Sequence, residues 1–258
     1  MDEERRAKER ARHDEFVASM LRTLHQEFAT LIQEHLAAKA QHNEAIQPYE
    51  RKPTYLECVI RPSSMADQPV IDSLASCRSI LGACQIGPVE APFPDLRHSK
   101  QTPGQDGVEG RLNNYGLECW HLSERGVFVK ILTTFDTPLP NQQYPCILLS
   151  DLLKRLTQVF RFAQRFGDRV APAGSIEVKI RLANIGNRRL YIKGAMARTE
   201  HATKKDELFT TWKGARSEMQ DPDVLAVKAA FWFCERFNCD YVGELYLTTE
   251  QARFLHQL

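Results

Sequence analysis

The chain has 258 residues, with 34 Lys plus Arg against 33 Asp plus Glu, a net charge of +1 and a hydrophobic fraction of 43%. This is ordinary globular composition, long enough to bury a core without a disulfide or metal staple. It excludes collagenous, small disulfide-scaffold and uniformly polyanion-binding classes. No run approaches the ~18 apolar residues of a membrane-spanning helix, and Met1-Asp2-Glu3-Glu4-Arg5-Arg6 offers no apolar stretch of a secretory signal. A cytoplasmic location and no membrane partner are therefore expected.

Residues 2–46 contain neither Gly nor Pro and are dominated by Ala, Glu, Gln, Lys, Arg and Leu. This predicts a long charged helix over 1–47, ahead of a main domain over 48–258. Val17, Leu21, Leu24, Phe28 and Leu31 recur at alternating intervals of four and three, the spacing of one helix face. A stripe this apolar must be covered, either by the chain's own domain or by a partner protein or second copy. These five residues are accordingly the candidate oligomer interface. Thr54 to Arg61 reads as a strand ended by Pro62, and Val70 to Leu81 as a short helix. Residues 85–116 hold nine of the chain's Gly and Pro residues and read as a long surface loop.

Gly116 to Leu122 and Val127 to Thr133 flank Ser123-Glu124-Arg125-Gly126, an antiparallel hairpin. Ser150 is placed to cap a helix that buries Leu152, Leu153, Leu156, Val159, Phe160, Ala163 and Phe166 and stops at Gly167. Ser175 to Ala183 and Arg188 to Lys193, joined by Asn184-Ile185-Gly186-Asn187, read as a second hairpin. Asp221-Pro222 opens a helix to Phe237. Tyr241 to Leu247 reads as a last strand, and Thr249 as the start of a terminal helix. Hairpins mixed with helices give an α+β fold: a mostly antiparallel sheet covered by helices on one face and preceded by the long N-terminal helix.

Seven dispersed cysteines with no CxxC pair fit buried thiols in a reducing compartment rather than a disulfide framework. No Cys or His spacing suits structural zinc, and no bound cofactor is expected. The pattern of Tyr55-Leu56-Glu57, Gly116-Leu117-Glu118-Cys119-Trp120, Gly126-Val127-Phe128-Val129, Leu152-Leu153 and Ile176-Glu177-Val178-Lys179-Ile180-Arg181-Leu182 resembles the C-terminal region that follows a Schlafen-type AlbA domain in bacterial nucleic-acid-binding proteins. The similar region spans residues 54–195, and the charged helix stands where the AlbA domain would be. The resemblance implies a bacterial, cytosolic, regulatory or defence-type accessory region, with no catalytic residue carried over.

Phosphate-cradling, nucleophile-elbow and zinc-protease motifs are absent. Cys119 and His121 lie two apart on one strand and so share a face, the minimal arrangement for a Cys–His pair. Asp168 followed by Glu177-Val178-Lys179 matches the pattern of a metal-dependent restriction-type nuclease, in which two carboxylates hold Mg²⁺ and a lysine positions the attacking water. The strongest local signal is charge. Between Glu177 and Arg216 there are ten positive and four negative side chains, a local net of +6. Alternation along the second hairpin would turn Lys179, Arg181, Arg189, Tyr191 and Lys193 outward, with Trp212 extending the patch. Such a basic, aromatic surface suits nucleic acid or an acidic partner protein. The sequence thus predicts a non-catalytic binding module. A Mg²⁺-dependent nuclease, or a structural subunit assembling through the N-terminal helix, are the alternatives.

Overall fold

The computed structural model describes residues 2–64, 69–87, 92–104, 106–113, 116–133, 136–137, 145–186, 188–192, 202–215 and 217–256. Six helices and ten strands are assigned among them, in the order α1 (Asp2–Gln41), α2 (Pro48–Arg51), β1 (Tyr55–Pro62), α3 (Leu74–Cys84), β2 (Lys100–Pro103), β3 (Gly107–Asn113), β4 (Leu117–Ser123), β5 (Phe128–Thr133), β6 (Asp136–Thr137), β7 (Cys146–Leu148), α4 (Leu149–Val170), β8 (Ser175–Ala183), β9 (Arg189–Tyr191), β10 (Glu207–Ala215), α5 (Pro222–Arg236) and α6 (Glu244–Leu255). The main sheet has seven strands in the order β10-β8-β1-β5-β4-β3-β2, with every neighbouring pair antiparallel. A small sheet, β6-β7-β9, stands apart from it. The fold is α+β. Among the described residues no helix is long and apolar enough to cross a membrane.

Helices cover both faces of the main sheet rather than one. On one side α4 is central: Leu152, Leu153, Leu156, Val159, Phe160, Ala163 and Phe166 are all buried as the sequence predicts, against Leu56, Ile60, Phe128, Val178 and Ile180. On the other side α1 lays Val17, Leu24, Phe28 and Leu31 onto Tyr55, Val59, Leu117, Cys119, Val129 and Ile131. Each of these four side chains is at most 5% exposed, worth about 1.5–3 kcal/mol apiece. Leu21 packs at the margin of the same cluster. The chain's own sheet therefore covers the stripe, and the candidate oligomer interface of the sequence reading is an intrachain one. Two-sided cover explains why β1, β4 and β5 are almost continuously buried instead of alternating.

Four expected elements differ. The predicted 85–116 loop contains β2 and β3. Their glycines serve packing: a Cβ on Gly110 would lie 2.2 Å from the Trp120 ring and one on Gly107 2.0 Å from the Leu122 carbonyl oxygen. Helix α4 starts directly from β7 and runs through Gly167, whose missing side chain makes room for Ile176, 2.6 Å from where a Cβ would stand. Tyr241 to Leu247 is not a strand. Gly243 precedes α6, which turns Leu247 and Gln251, four residues apart, into the core. Finally, β8 and β9 do not form a hairpin. Both edges of β8 are filled, by β1 and by β10, a strand absent from the sequence reading, while β9 pairs in parallel with β7. The chain leaves β8 at Asn184, which adopts a left-handed conformation (φ 58°) and donates from Nδ2 to the Pro53 carbonyl at 2.9 Å.

Candidate binding surface at the open end of the sheet

The site begins with the period of two along β8. Ile176, Val178, Ile180 and Leu182 point into the core beneath α4, so Glu177, Lys179 and Arg181 lie on the α1 face. Helix α1 crosses that face over β4 and β5 and leaves the β8–β10 end less covered. Strand β10 presents Glu207, Phe209, Thr211 and Lys213 on the same face. Its register sets Phe209 beside Arg181, Thr211 beside Lys179 and Lys213 beside Glu177. Phe209 is 71% exposed, an unusual position for a phenyl ring on a sheet.

The charges on this face are largely paired. Arg181 Nε donates to Glu207 at 2.9 Å, and Arg181 Nη1 reaches Glu57 at 3.4 Å. His25 of α1 stands 2.7 Å from the same Glu57 carboxylate. Arg61 bridges Asp14 of α1 at 2.8 Å and Glu177 at 2.9 Å, and Lys179 lies 3.3 Å from Glu177. Glu177 and Glu207 are already counted in the local net of +6; the fold adds Glu57 from β1 and Asp14 from α1 to offset Arg181 and Arg61 on this face. At the outer rim Lys213 makes no ion pair among the described residues, and the side chain of Lys179 is 43% exposed.

The other expected members lie elsewhere. Arg189 and Tyr191 belong to the small sheet, half-buried, and Lys193 lies outside the described residues. Trp212 is opposite Val178, hence on the α4 side, with its ring edge-on to Phe160 at 5.9 Å, so it does not extend the basic face. The nuclease triad does not converge either. Asp168 sits on α4 beside a cavity of about 150 Å³ bounded by Gly167, Ile176 and Met219, whereas Glu177 and Lys179 point away from the opposite face of the sheet. Two carboxylates separated by a β-sheet cannot share one Mg²⁺ ion. Among the described residues no group of three or more His, Cys, Asp or Glu side chains is arranged to hold a metal.

Cys119 and His121 do share a face, but in the interior beneath α1. Burial pushes the Cys119 thiol up to about 12, which leaves it protonated and unreactive at neutral pH. His121 instead lies between two carboxylates, its Nε2 3.2 Å from Asp106 and its Nδ1 3.3 Å from Glu109. The His121 contact holds the Asp106 carboxyl below its usual range. A cavity of about 380 Å³ between this group and Phe16, Met20 and Thr23 of α1 adjoins it.

Sequence reasoning missed a second buried ionic group. Lys130, fully buried, stands 2.7 Å from Glu118 and 3.9 Å above the Phe93 ring, and Glu118 also accepts from the Asp95 N–H at 3.1 Å. Its signal was visible as a single charge inside each of two apolar strands, Val127 to Leu132 and Leu117 to Leu122. No protein-family model, curated protein or solved structure matches this chain.

Proposed function

We propose that the chain is a non-catalytic binding module that holds single-stranded nucleic acid on the β8–β10 end of the main sheet. The observation that carries this reading is Phe209, 71% exposed on an open strand face, with Arg181 opposite it and Lys179 and Lys213 farther along the same face. A flat aromatic among cations is the chemistry of base stacking with phosphate contact, and it tolerates any base sequence. Catalysis is not part of the proposal, because the residues that suggested it lie on opposite sides of the sheet. The resemblance of residues 54–195 to regions downstream of AlbA domains agrees with an accessory, cytoplasmic, regulatory or defence-type role in a bacterium.

The test is fluorescence anisotropy of the full chain with labelled single-stranded DNA and RNA over a salt series. Affinity is expected to fall with salt, and Lys179→Ala or Lys213→Ala each to flatten the log–log slope by about 0.7. Phe209→Ala is expected to cost about 1–3 kcal/mol while leaving the slope alone. Absence of binding at low salt to either nucleic acid overturns the reading in favour of an acidic protein partner, because the same cations would then serve carboxylates.

A further inference from the structure

We propose that the free edge of β10 is a homodimer seam, in which two copies of this chain pair their β10 strands antiparallel about a two-fold axis through Thr211. The proposal does not require the nucleic-acid reading, because it is carried by the backbone of β10, although both draw on Phe209 and Lys213.

It starts from the hydrogen-bonding parity of the edge. Residue 63, one beyond β1, donates its N–H to the Ser175 carbonyl at 2.8 Å, so Ser175 turns its backbone toward β1. Its partner in β10, Ala215, accordingly turns away from β8. Ala215 donates its N–H to Glu218 Oε2 at 2.8 Å and accepts from the Glu218 N–H at 2.9 Å. In an antiparallel ladder the backbone groups alternate sides, so Phe209, Thr211 and Lys213 also direct their N–H and C=O groups outward. Glu218 closes the edge at Ala215. Among the described residues β10 pairs with β8 alone, which leaves a run of aligned, unsatisfied groups of the kind proteins seldom leave uncovered.

The side chains then select the occupant and register. A two-fold at Thr211 sets Thr211 opposite its own copy and Phe209 opposite Lys213 of the second copy. Glu207 falls on the diagonal from that same lysine, within reach of a long side chain. Both Phe209–Lys213 contacts place a cation against a ring, and no like charges meet. Centring on Lys213 would juxtapose two lysines, and centring on Phe209 would lose the contact between ring and cation. The parity established above makes the Thr211 pair a hydrogen-bonded one, so the backbone geometry and the side-chain pattern favour the same axis. Such an interface is isologous and closed, which limits assembly to a dimer. It would join the two main sheets into one and bring both Phe209 rings to a common face.

Sedimentation velocity of the full chain over a concentration series is expected to show reversible monomer–dimer exchange. In a hydrogen-bonded antiparallel pair the Cα atoms stand about 5.5 Å apart, within disulfide range. Thr211→Cys is therefore expected to crosslink as a dimer under mild oxidation. Phe209→Cys, about 14 Å from its own copy along the seam, is expected not to. The native thiols are all buried and add no background. Thr211→Pro removes only an outward N–H and is expected to abolish the dimer with an unchanged circular-dichroism spectrum. Should that variant not fold, Lys213→Glu, which brings two glutamates together at each end of the seam, is expected to weaken the dimer at least tenfold. A monomer across the whole series, equal crosslinking at both cysteine positions, or a dimer unaffected by Lys213→Glu overturns the proposal.

Discussion

At the scale of single residues, the costliest placement is Lys130. An ammonium stripped of water is stable only against a partner, and here Glu118 at 2.7 Å and the face of Phe93 supply one. Burial still pushes the lysine below its ordinary value, and Arg155 nearby is lowered for the same reason. Removing one member leaves the other charged in the core. Glu118→Ala is expected to cost about 3–5 kcal/mol in denaturant unfolding. The double change Lys130→Met with Glu118→Gln removes the charges while keeping an acceptor for the Asp95 N–H, and is expected to recover most of that loss. A Glu118→Ala cost under about 1 kcal/mol would show that the pair behaves like a solvated surface contact. The sequence displayed both charges inside apolar strands. It did not display their meeting, because β4 and β5 are paired by a turn whose register places Trp120, not Glu118, opposite Lys130.

At the scale of elements, α1 shows how far a helical pattern can be read. The stripe from Val17 to Leu31 was legible from spacing alone, and its burial follows. What covers it was not legible, because the complementary surface is assembled from β1, β4 and β5, whose apolar residues fall on both faces and so mark no single face in sequence. Since the partner is the chain's own sheet, deleting residues 1–47 bares Tyr55, Val59, Leu117, Val129 and Ile131 together. Aggregation is expected, measured by sedimentation of the expressed fragment. A soluble, folded fragment would show that α1 is dispensable cover. Phe28→Ala in the full chain is expected to cost about 3–5 kcal/mol. The misread glycines belong to this scale too. Gly107 and Gly110 resemble loop punctuation in sequence, yet they are strand positions where Leu122 and Trp120 approach too closely for a side chain.

At the scale of the whole molecule, the thiols act together. All seven cysteines are buried and free, and burial raises each above 9.0, Cys58, Cys119, Cys234 and Cys239 to about 12 and Cys77 and Cys84 to about 11. The folded chain then binds more protons at these sites than the unfolded chain above pH 9, so stability falls as pH rises from 9 toward 12. Lys130 works in the opposite sense. Its folded value lies below 10.5, so its deprotonation favours the fold as pH rises toward that value, but it and Arg155, lowered likewise, are two groups against seven. The unfolding free energy measured by denaturant is therefore expected to decline across that alkaline window. At neutral pH a thiol reagent should titrate no cysteine in the native chain and all seven after unfolding. Rapid native labelling would contradict the enclosed core.

The sequence by itself determined the local elements whose signals are short-range: the amphipathic period of α1 and α4, the Asp221 cap with its 3.1 Å bond to the Val224 N–H, the β4–β5 hairpin, and the buried state of the cysteines. It also fixed the α+β class, because strands and helices interleave in it. Only the tertiary structure decided which strands pair. Lys179 and Arg181 were expected beside Arg189 and Tyr191 because chain neighbours usually pair. Instead β8 lies between β1, more than a hundred residues earlier, and β10. Pairing is decided by which apolar faces can be buried together, a property of the assembled sheet. Hence the same long-range choice moved Trp212 behind the sheet, separated Asp168 from Glu177, supplied Glu57 and Glu207 to neutralise Arg181, and left Phe209 and the edge of β10 facing outward.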